Sequence, residues 1–217
     1  MSTTNSSTGA GARAHSLVPS PVGLLTVVAA AGAIVGIYHE HHQPPPQARV
    51  LGRPIGTPGG GFDGSWDTAD RPGVASGDSN DLDVLAEAAH QLDQYFDGLS
   101  TGFDLPTGLT GTPFQLRVWR ALAEIPYGQR SSYREIATHL GNPSMGRAIG
   151  AAIRVNPLSI VVPGHRVVSS TGAVIGYAAG IEAKEALLTL ESRYRGVSPA
   201  HAAVGAHPPA GPGFGMR

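Results

Sequence analysis

Pro163-Gly164-His165-Arg166 stands between two β-branched stretches, Ile160-Val161-Val162 and Val167-Val168. Such flanks predict that a strand over 159–162 runs into a tight turn and presents an imidazole and a guanidinium at its tip. A histidine placed there has the pKa for general acid–base work. Nothing nucleophilic accompanies it: residue 164 is glycine, and the 217-residue chain contains no cysteine. Disulfides, thiolate metal sites and thiol nucleophiles are thereby excluded. A second cluster, His39-Glu40-His41-His42, has metal-ligating residue types. It lacks the spacing of two histidines on one helix face and any matching distant ligand, so no metal is expected and the segment reads as a strand end entering a Pro-rich loop.

The elements that must position these groups follow from periodicity and punctuation. Residues 24–29 and 33–39 are β-branched runs around Ala30-Ala31-Gly32, which predicts a hairpin. The same region, 23–38, is the one candidate for a membrane or signal segment, but it is shorter than a bilayer span and has a single upstream Arg13. A cytoplasmic protein with no membrane partner is therefore expected. Residues 44–77 are dense in Pro and Gly and predict a long surface loop. Apolar residues at 82, 85, 89, 92, 95 and 96 predict a helix over 82–99. Residues 1–15 and 196–217 are rich in Ser, Thr, Gly, Ala, Pro or His and are expected to be disordered tails.

A second unit begins at Thr112-Pro113-Phe114-Gln115, where an N-cap threonine, a first-turn proline and a glutamine three residues on form a capping box for a helix to about Ile125. Ser132-Tyr133-Arg134-Glu135 repeats the logic for a short helix to Leu140, with Gly141 as its left-handed exit. Asn142-Pro143 opens a third helix that carries Arg147 and Arg154 and stops before Asn156-Pro157. Two short helices across a Gly-Asn-Pro turn predict a helix-turn-helix whose second helix, with Gly146, Ala148, Gly150, Ala151 and Ala152, allows close approach of another surface or tight packing on the core. Beyond it a strand at Val167-Val168, a Thr171-Gly172 turn and a strand over 173–177 predict a small hairpin, giving a winged-helix pattern, and a last helix spans about 181–194. The expected organisation is an N-terminal α/β domain over 16–104, a linker over 105–111 and a C-terminal domain over 112–195.

Charge divides the same way. Residues 1–104 carry 4 basic and 11 acidic side chains, whereas residues 110–195 carry 10 basic and 5 acidic ones. A basic second half points to a polyanion partner, against the simpler reading of a solvated basic face.

The stretches RVWRALAEIPYGQRSSYREIA, GNPSMGRAIGAAIRVNP, IVVPGHRVV and GYAAGIEAKEALLTLE, in this order, resemble the DNA-binding domain of the O6-alkylguanine-DNA alkyltransferases, the methylated-DNA–protein-cysteine methyltransferases. The likeness covers about residues 110–192, and more loosely 20–104. It implies an α/β fold: a small ribonuclease-H-like N-terminal domain followed by a winged-helix domain that enters the minor groove of double-stranded DNA. The family's signature is Pro-Cys-His-Arg, so Gly164 occupies the place of the alkyl-accepting cysteine. The resemblance assigns His165 to the histidine that deprotonates the thiol through a water, Glu191 to the carboxylate that orients it, and Asn156 to the hinge asparagine. Arg147 matches the arginine that fills the vacated stack, and Tyr133 the tyrosine that turns the target phosphate, with Gly150 and Ala151 on the DNA-facing helix. Tyr177, Ala178 and Val167 match the base pocket, with the Gly164 and Val167 carbonyls accepting from the guanine amine; Ala178 replaces a common serine. No cofactor is implied. The implied partner is duplex DNA containing O6-alkylguanine, bound by a monomer, with other repair proteins as further partners.

Three readings of function follow. The chain is a non-catalytic lesion binder of the alkyltransferase-like kind, which flips the base but cannot accept its alkyl group. Alternatively it is a suicide methyltransferase whose acceptor cysteine, at the position held by Gly164, has been engineered away or misread, Cys and Gly codons differing by one base. The third reading is a winged-helix regulator.

Overall fold

The computed structural model describes residues 13–55 and 79–194. Three antiparallel strands open it: β1 (Ala14–Val18), β2 (Leu25–Ala30) and β3 (Ala33–His39). The β2–β3 hairpin expected from the sequence forms, turning through Ala31 at φ 53 and Gly32 at φ 74. The start of β1 falls within the stretch expected to be a disordered tail. Ala14 and His15 instead pair with Ala29 and Val28, and Ala14, Ser16 and Val18 point inward while His15 and Leu17 are less buried, an alternation that half-burial of a strand rewards. The rest of the two tails lies outside the described residues.

The expected loop over 44–77 also begins as structure. A single helical turn, α1 (Ala48–Leu51), leads into β4 (Arg53–Pro54), which pairs parallel with β1 at the sheet edge and gives the order β3-β2-β1-β4. Pro54 fits an edge strand because it lacks a ladder donor. Residues 56–77 of that loop lie outside the described residues.

α2 (Ser79–Phe96) packs on the sheet through Val84, Leu85, Ala88, Ala89, Leu92 and Tyr95. Leu85 and Leu92 are almost wholly buried, each contributing about 2 kcal/mol of apolar burial. The helix starts three residues before the expected 82 and stops three before 99. Gly98 adopts φ 71 and Leu99 is exposed, so the apolar Leu99 belongs to the exit and not to the helical stripe.

In the second half both capping boxes form. Thr112 accepts from the Gln115 amide and Gln115 returns the bond at the start of α3 (Pro113–Ala123), and Ser132 and Glu135 do the same for α4 (Tyr133–His139). Gly141 takes φ 93. Asn142 caps a 3₁₀ turn over Pro143–Met145 that leads into α5 (Gly146–Arg154). α3 and α5 are clamped by Trp119, whose indole Nε1 donates to the Ala152 carbonyl at 2.9 Å. α6 (Ile181–Arg193) is the last helix among the described residues.

Two expectations fail here. Residues 159–162 form a turn, not a strand: Ile160, buried in the core, adopts φ 72, and Leu158 bridges to Ile37 of β3 instead of extending a ladder of its own. The wing hairpin is also absent. β6 (Val167–Val168) pairs parallel with β5 (Ser131–Ser132), at the head of α4, while 173–177 is irregular and touches the β6 exit only through Ser169. The β-branched residues are buried as their pattern predicts, but the strand partner lies about 35 residues upstream.

The two halves share one core. The free edge of β3 receives both the linker, through Ile34 amide to Pro106 carbonyl at 2.8 Å, and the turn before Gly164, through Ile37 amide to Pro157 carbonyl at 2.7 Å and Ser159 amide to Ile37 carbonyl at 3.1 Å. No helix among the described residues is long and apolar enough to cross a membrane.

Candidate functional site

Pro163 leads into a buried 3₁₀ turn, Gly164–Arg166. Asn156 braces it from outside: its Nδ2 donates to the Val162 carbonyl at 2.9 Å and its Oδ1 accepts from the Leu158 amide at 3.1 Å. Gly164 is buried but its φ is not in the left-handed region, so glycine is not demanded by the backbone. A Cβ there would meet a single outside atom within 4 Å, Ile153 Cγ2 at 3.0 Å.

From this turn His165 and Arg166 reach Glu191 on α6. His165 Nε2 lies 2.8 Å from Glu191 Oε1, and the Arg166 guanidinium donates Nε and Nη2 to the same carboxylate at 2.9–3.1 Å. Two further donors complete the set: the Tyr95 hydroxyl from α2 at 2.7 Å and the Gly128 amide at 2.9 Å. Burial pushes the Glu191 carboxyl up, but the hydrogen bonds and charges of His165 and Arg166 outweigh it and hold the pKa at about 2. Burial lowers the pKa of His165, with Glu191 partly opposing. The pair is therefore an ionised carboxylate accepting from the Nε2–H of a neutral imidazole. The other ring nitrogen, Nδ1, is buried with no hydrogen-bond partner among the described residues.

The expected pocket residues gather on the far side of the turn. Tyr177 shares a hydrogen bond with His39 Nε2 at 3.2 Å, and its ring stands edge-on to His165 with centroids 6.4 Å apart. Ala178 is buried, and its carbonyl accepts from the Gln43 amide at 2.7 Å. The carbonyls of Gly164 and Val167 each already accept one bond, from the Val167 amide and from Lys184 Nζ respectively. Each keeps a second lone pair. Lys184, fully buried, also donates to Ile175 at 2.6 Å and Gly176 at 3.2 Å, and burial lowers its pKa to about 8.

Tyr133 begins α4 and its hydroxyl reaches the Ile175 carbonyl at 3.3 Å, which ties the helix-turn-helix to the pocket loop. On α5 the inward face is Ile149, Ala152 and Ile153, while Arg147, Ala148, Ala151 and Arg154 are exposed or nearly so and Gly150 is half-buried. Arg147, Ala151 and Arg154 recur at helical spacing, so the outward face is two guanidinium groups on an otherwise small-residue surface. Between α4 and the exit of β6, a hollow of about 690 Å³ is lined by Arg130, Ser131, Arg134, Glu135, His139 and Ser169.

Sequence reasoning misses His39, Tyr95, Lys184 and this hollow. In the sequence His39 stands beside His41 and His42 as a weak metal lure. The fold buries His39 and His42, His39 against Tyr177, and burial, then the neighbouring His42 and His165, lower the His39 pKa to about 4. Among the described residues no three His, Cys, Asp or Glu side chains are grouped to hold a metal.

Residues 113–193 match the family described as 6-O-methylguanine DNA methyltransferase, DNA binding domain. The methylated-DNA–protein-cysteine methyltransferase of Mycolicibacterium paratuberculosis is 50% identical over 111 residues, 51% of this chain and 67% of that protein. That of Methanosarcina barkeri is 50% identical over 105 residues, 48% of this chain and 66% of that protein. The matched region thus spans about two thirds of these relatives. In three dimensions the crystal structure of the Mycobacterium tuberculosis O6-methylguanine methyltransferase superposes with a TM-score of 0.66 and 34% identity, covering 87% of this chain and 96% of that one. A structure of the same organism's OGT in complex with DNA matches equally well, with a TM-score of 0.66. With relatives 50% identical across the matched region and a mixed α/β fold that matches the solved structure over 96% of its length, the chain belongs to the methylated-DNA–protein-cysteine methyltransferase family, and it contains no cysteine.

Proposed function

We propose that this protein binds O6-alkylguanine in duplex DNA, rotates the base into the pocket beside Gly164, and does not take the alkyl group onto itself. Gly164 carries this reading. It stands at the acceptor position of an otherwise furnished site, and no cysteine exists elsewhere in the chain to replace it. The N-terminal sheet would play the ribonuclease-H-like part and the helix-turn-helix with its flanking loop the winged-helix part, although the wing lacks its hairpin. In this assignment α5 enters the minor groove, where the half-buried Gly150 and exposed Ala151 admit the backbone and Arg147 fills the gap left by the rotated base. Tyr133 meets the phosphate of that nucleotide. Tyr177, Val167 and Ala178 surround the base, Asn156 holds the turn, and His165 with Glu191 stands behind it. The DNA-bound M. tuberculosis structure supports the choice of partner, as does the excess of basic residues over 110–195. A monomer suffices for this site.

The test is a duplex carrying labelled O6-methylguanine. The protein should bind it in preference to undamaged duplex and leave the label on the DNA; stoichiometric transfer of label to protein would overturn the reading. The ordinary backbone angle at Gly164 also favours a second reading, an altered suicide methyltransferase. Gly164→Cys should then give a single turnover, Ile153 yielding a few tenths of an ångström to the new side chain. A folded, lesion-binding Gly164→Cys protein that transfers nothing would eliminate that alternative.

A further inference from the structure

The loop over 173–177 delivers Tyr177 to the pocket without the strand pairing that would fix it. Its start meets the β6 exit through Ser169, and its middle is gripped by a single side chain from α6. Lys184 Nζ donates to the Ile175 carbonyl at 2.6 Å, to the Gly176 carbonyl at 3.2 Å and to the Val167 carbonyl. An ammonium has three protons to give and no acceptor, so three carbonyls use it fully. The Gly176 carbonyl belongs to the peptide group that enters Tyr177, at a left-handed φ of 52. The Val167 carbonyl belongs to β6. One charge thus ties together the two segments to which the base is assigned, and the Ile175 carbonyl extends the tie to the Tyr133 hydroxyl at 3.3 Å.

Stability alone does not account for a cation at this place. Lys184 shares the inward face of α6 with Leu187, Leu188 and Glu191 and is fully buried. Burial works against its charge and lowers its pKa to about 8. A buried ion is weak evidence for stability, since apolar packing commonly serves as well. What the ammonium supplies is direction: charge-assisted hydrogen bonds are short and strong, and they fix the peptide groups that accept them. The contacts from the N-terminal sheet, His39 to the Tyr177 hydroxyl at 3.2 Å and the Gln43 amide to the Ala178 carbonyl at 2.7 Å, hold the loop to β3 and the residues after it and leave its distance from Val167 open.

We propose that Lys184 is a positioning residue for lesion recognition, its ammonium setting the Val167 carbonyl and Tyr177 at the separation at which they hold an O6-alkylguanine between them. This rests on the lesion-binding reading above. Removal of one proton leaves a neutral amine with two donors and a lone pair, which one of the three carbonyls must then face. The loop is released and the protein keeps its general hold on DNA through α5. The groups on the surrounding elements do not change charge between pH 7 and pH 9. Burial keeps His165 neutral, the pKa of His39 is about 4 and that of Glu191 about 2. Burial raises Tyr133 and Tyr177 above their ordinary 10. Arg166 is a permanent cation, and Glu182 and Glu185 of α6 are exposed.

The experiment measures the affinity of the full chain for a duplex bearing O6-methylguanine and for the same duplex undamaged, by fluorescence anisotropy from pH 7 to pH 9, with a urea midpoint at each pH. If only the protonated state discriminates, one pH unit above a pKa of about 8 the competent fraction is about one tenth, and the preference for the lesion should fall roughly tenfold. Affinity for undamaged duplex should hold. The urea midpoint should not fall, because the same deprotonation favours the folded chain, so loss of structure cannot produce the loss of preference. Lys184→Met should show the lowered preference already at pH 7 and no further change to pH 9. A parent preference that is flat from pH 7 to pH 9 would overturn the proposal and leave the lesion-binding reading standing, and so would a folded Lys184→Met protein with the parent's preference. Should that variant not fold, the parent's pH series decides alone. A parent that binds both duplexes equally at pH 7 would overturn the lesion-binding reading and this inference with it.

Discussion

The Gly164–Arg166 turn and the outward face of α5 lie in the same half of the molecule and differ in almost every physical respect. In the turn, charge is buried and answered from all sides: one carboxylate, Glu191, receives donors from Tyr95, Gly128, His165 and Arg166. On α5, Arg147 and Arg154 stand outward among small residues. The difference separates what the chain needs in order to fold from what it offers to another molecule. A buried ion cluster is fixed by its own partners, so its presence says little about whether it takes part in chemistry. Outward guanidinium groups on a surface of glycine and alanine gain little internally and become useful against a polyanion.

The largest effect expected from this contrast is on stability, at the turn. Glu191→Leu removes the acceptor shared by four residues and strands Arg166 in the interior; breaking a buried pair in this way costs about 3–5 kcal/mol, readable as a shift in the urea midpoint. A loss under ~1 kcal/mol would mean the cluster is not a folding element and would break the comparison. The pH dependence sharpens it. The folded pKa of Glu191, about 2, lies below its ordinary 4.5, so its contribution is fully present above pH 4.5 and is lost as pH falls toward 2. Lys184 runs the other way. Its folded pKa, about 8, lies below the ordinary 10.5, so the unfolded chain binds more protons between those values and stability should rise with pH across that window, an effect that Lys184→Met should abolish.

Next in size is the effect of Arg147→Ala. If α5 faces outward only for DNA, the variant should lose roughly tenfold in preference for damaged over undamaged duplex, about 1.4 kcal/mol, while its unfolding midpoint stays within ~0.5 kcal/mol of the parent. Equal losses on both duplexes would demote Arg147 to a phosphate contact. The smallest expected effect is at Tyr133→Phe, which gives up only the hydroxyl and its contacts to the Ile175 and Gly176 carbonyls at 3.3 and 3.4 Å. Stability should fall by less than ~1 kcal/mol, and binding should weaken on the lesion-bearing duplex, where the rotated nucleotide's phosphate is met, and not on undamaged duplex.

The two regions are also unequally legible in the sequence. Helix starts at Thr112 and Ser132 can be read because a capping box is written within four consecutive residues, and the α5 face follows from spacing alone. The turn chemistry of Gly164 to Arg166 is recognisable as an ensemble of residue types, but its neighbours are not. Tyr95 lies 96 residues from Glu191, and His39 lies 138 from Tyr177. Periodicity places Tyr95 correctly on a buried helical face without telling which polar group its hydroxyl meets. Lys184, inside the run Ala183-Lys184-Glu185-Ala186-Leu187-Leu188, carries a faint signal: a lone lysine on the inward side of an apolar helix needs several acceptors, and three loop carbonyls supply them. β6 is expected from its β-branched residues, but its partner is not, and the other short strands escape for the same reason. β1, β4, β5 and β6 are defined by pairing, and two of the three pairings involved are parallel and non-local, which no local pattern encodes.

The bridge from Ile37 to the turn before Gly164 has a consequence for how the molecule opens. The Ile37 amide bonds to Pro157 and the Ser159 amide returns to Ile37, so neither strand edge nor turn can release its protons to solvent while the other stays closed. Native-state hydrogen exchange should therefore find these two amides, far apart in the chain, leaving at the same free energy, as one cooperative unit.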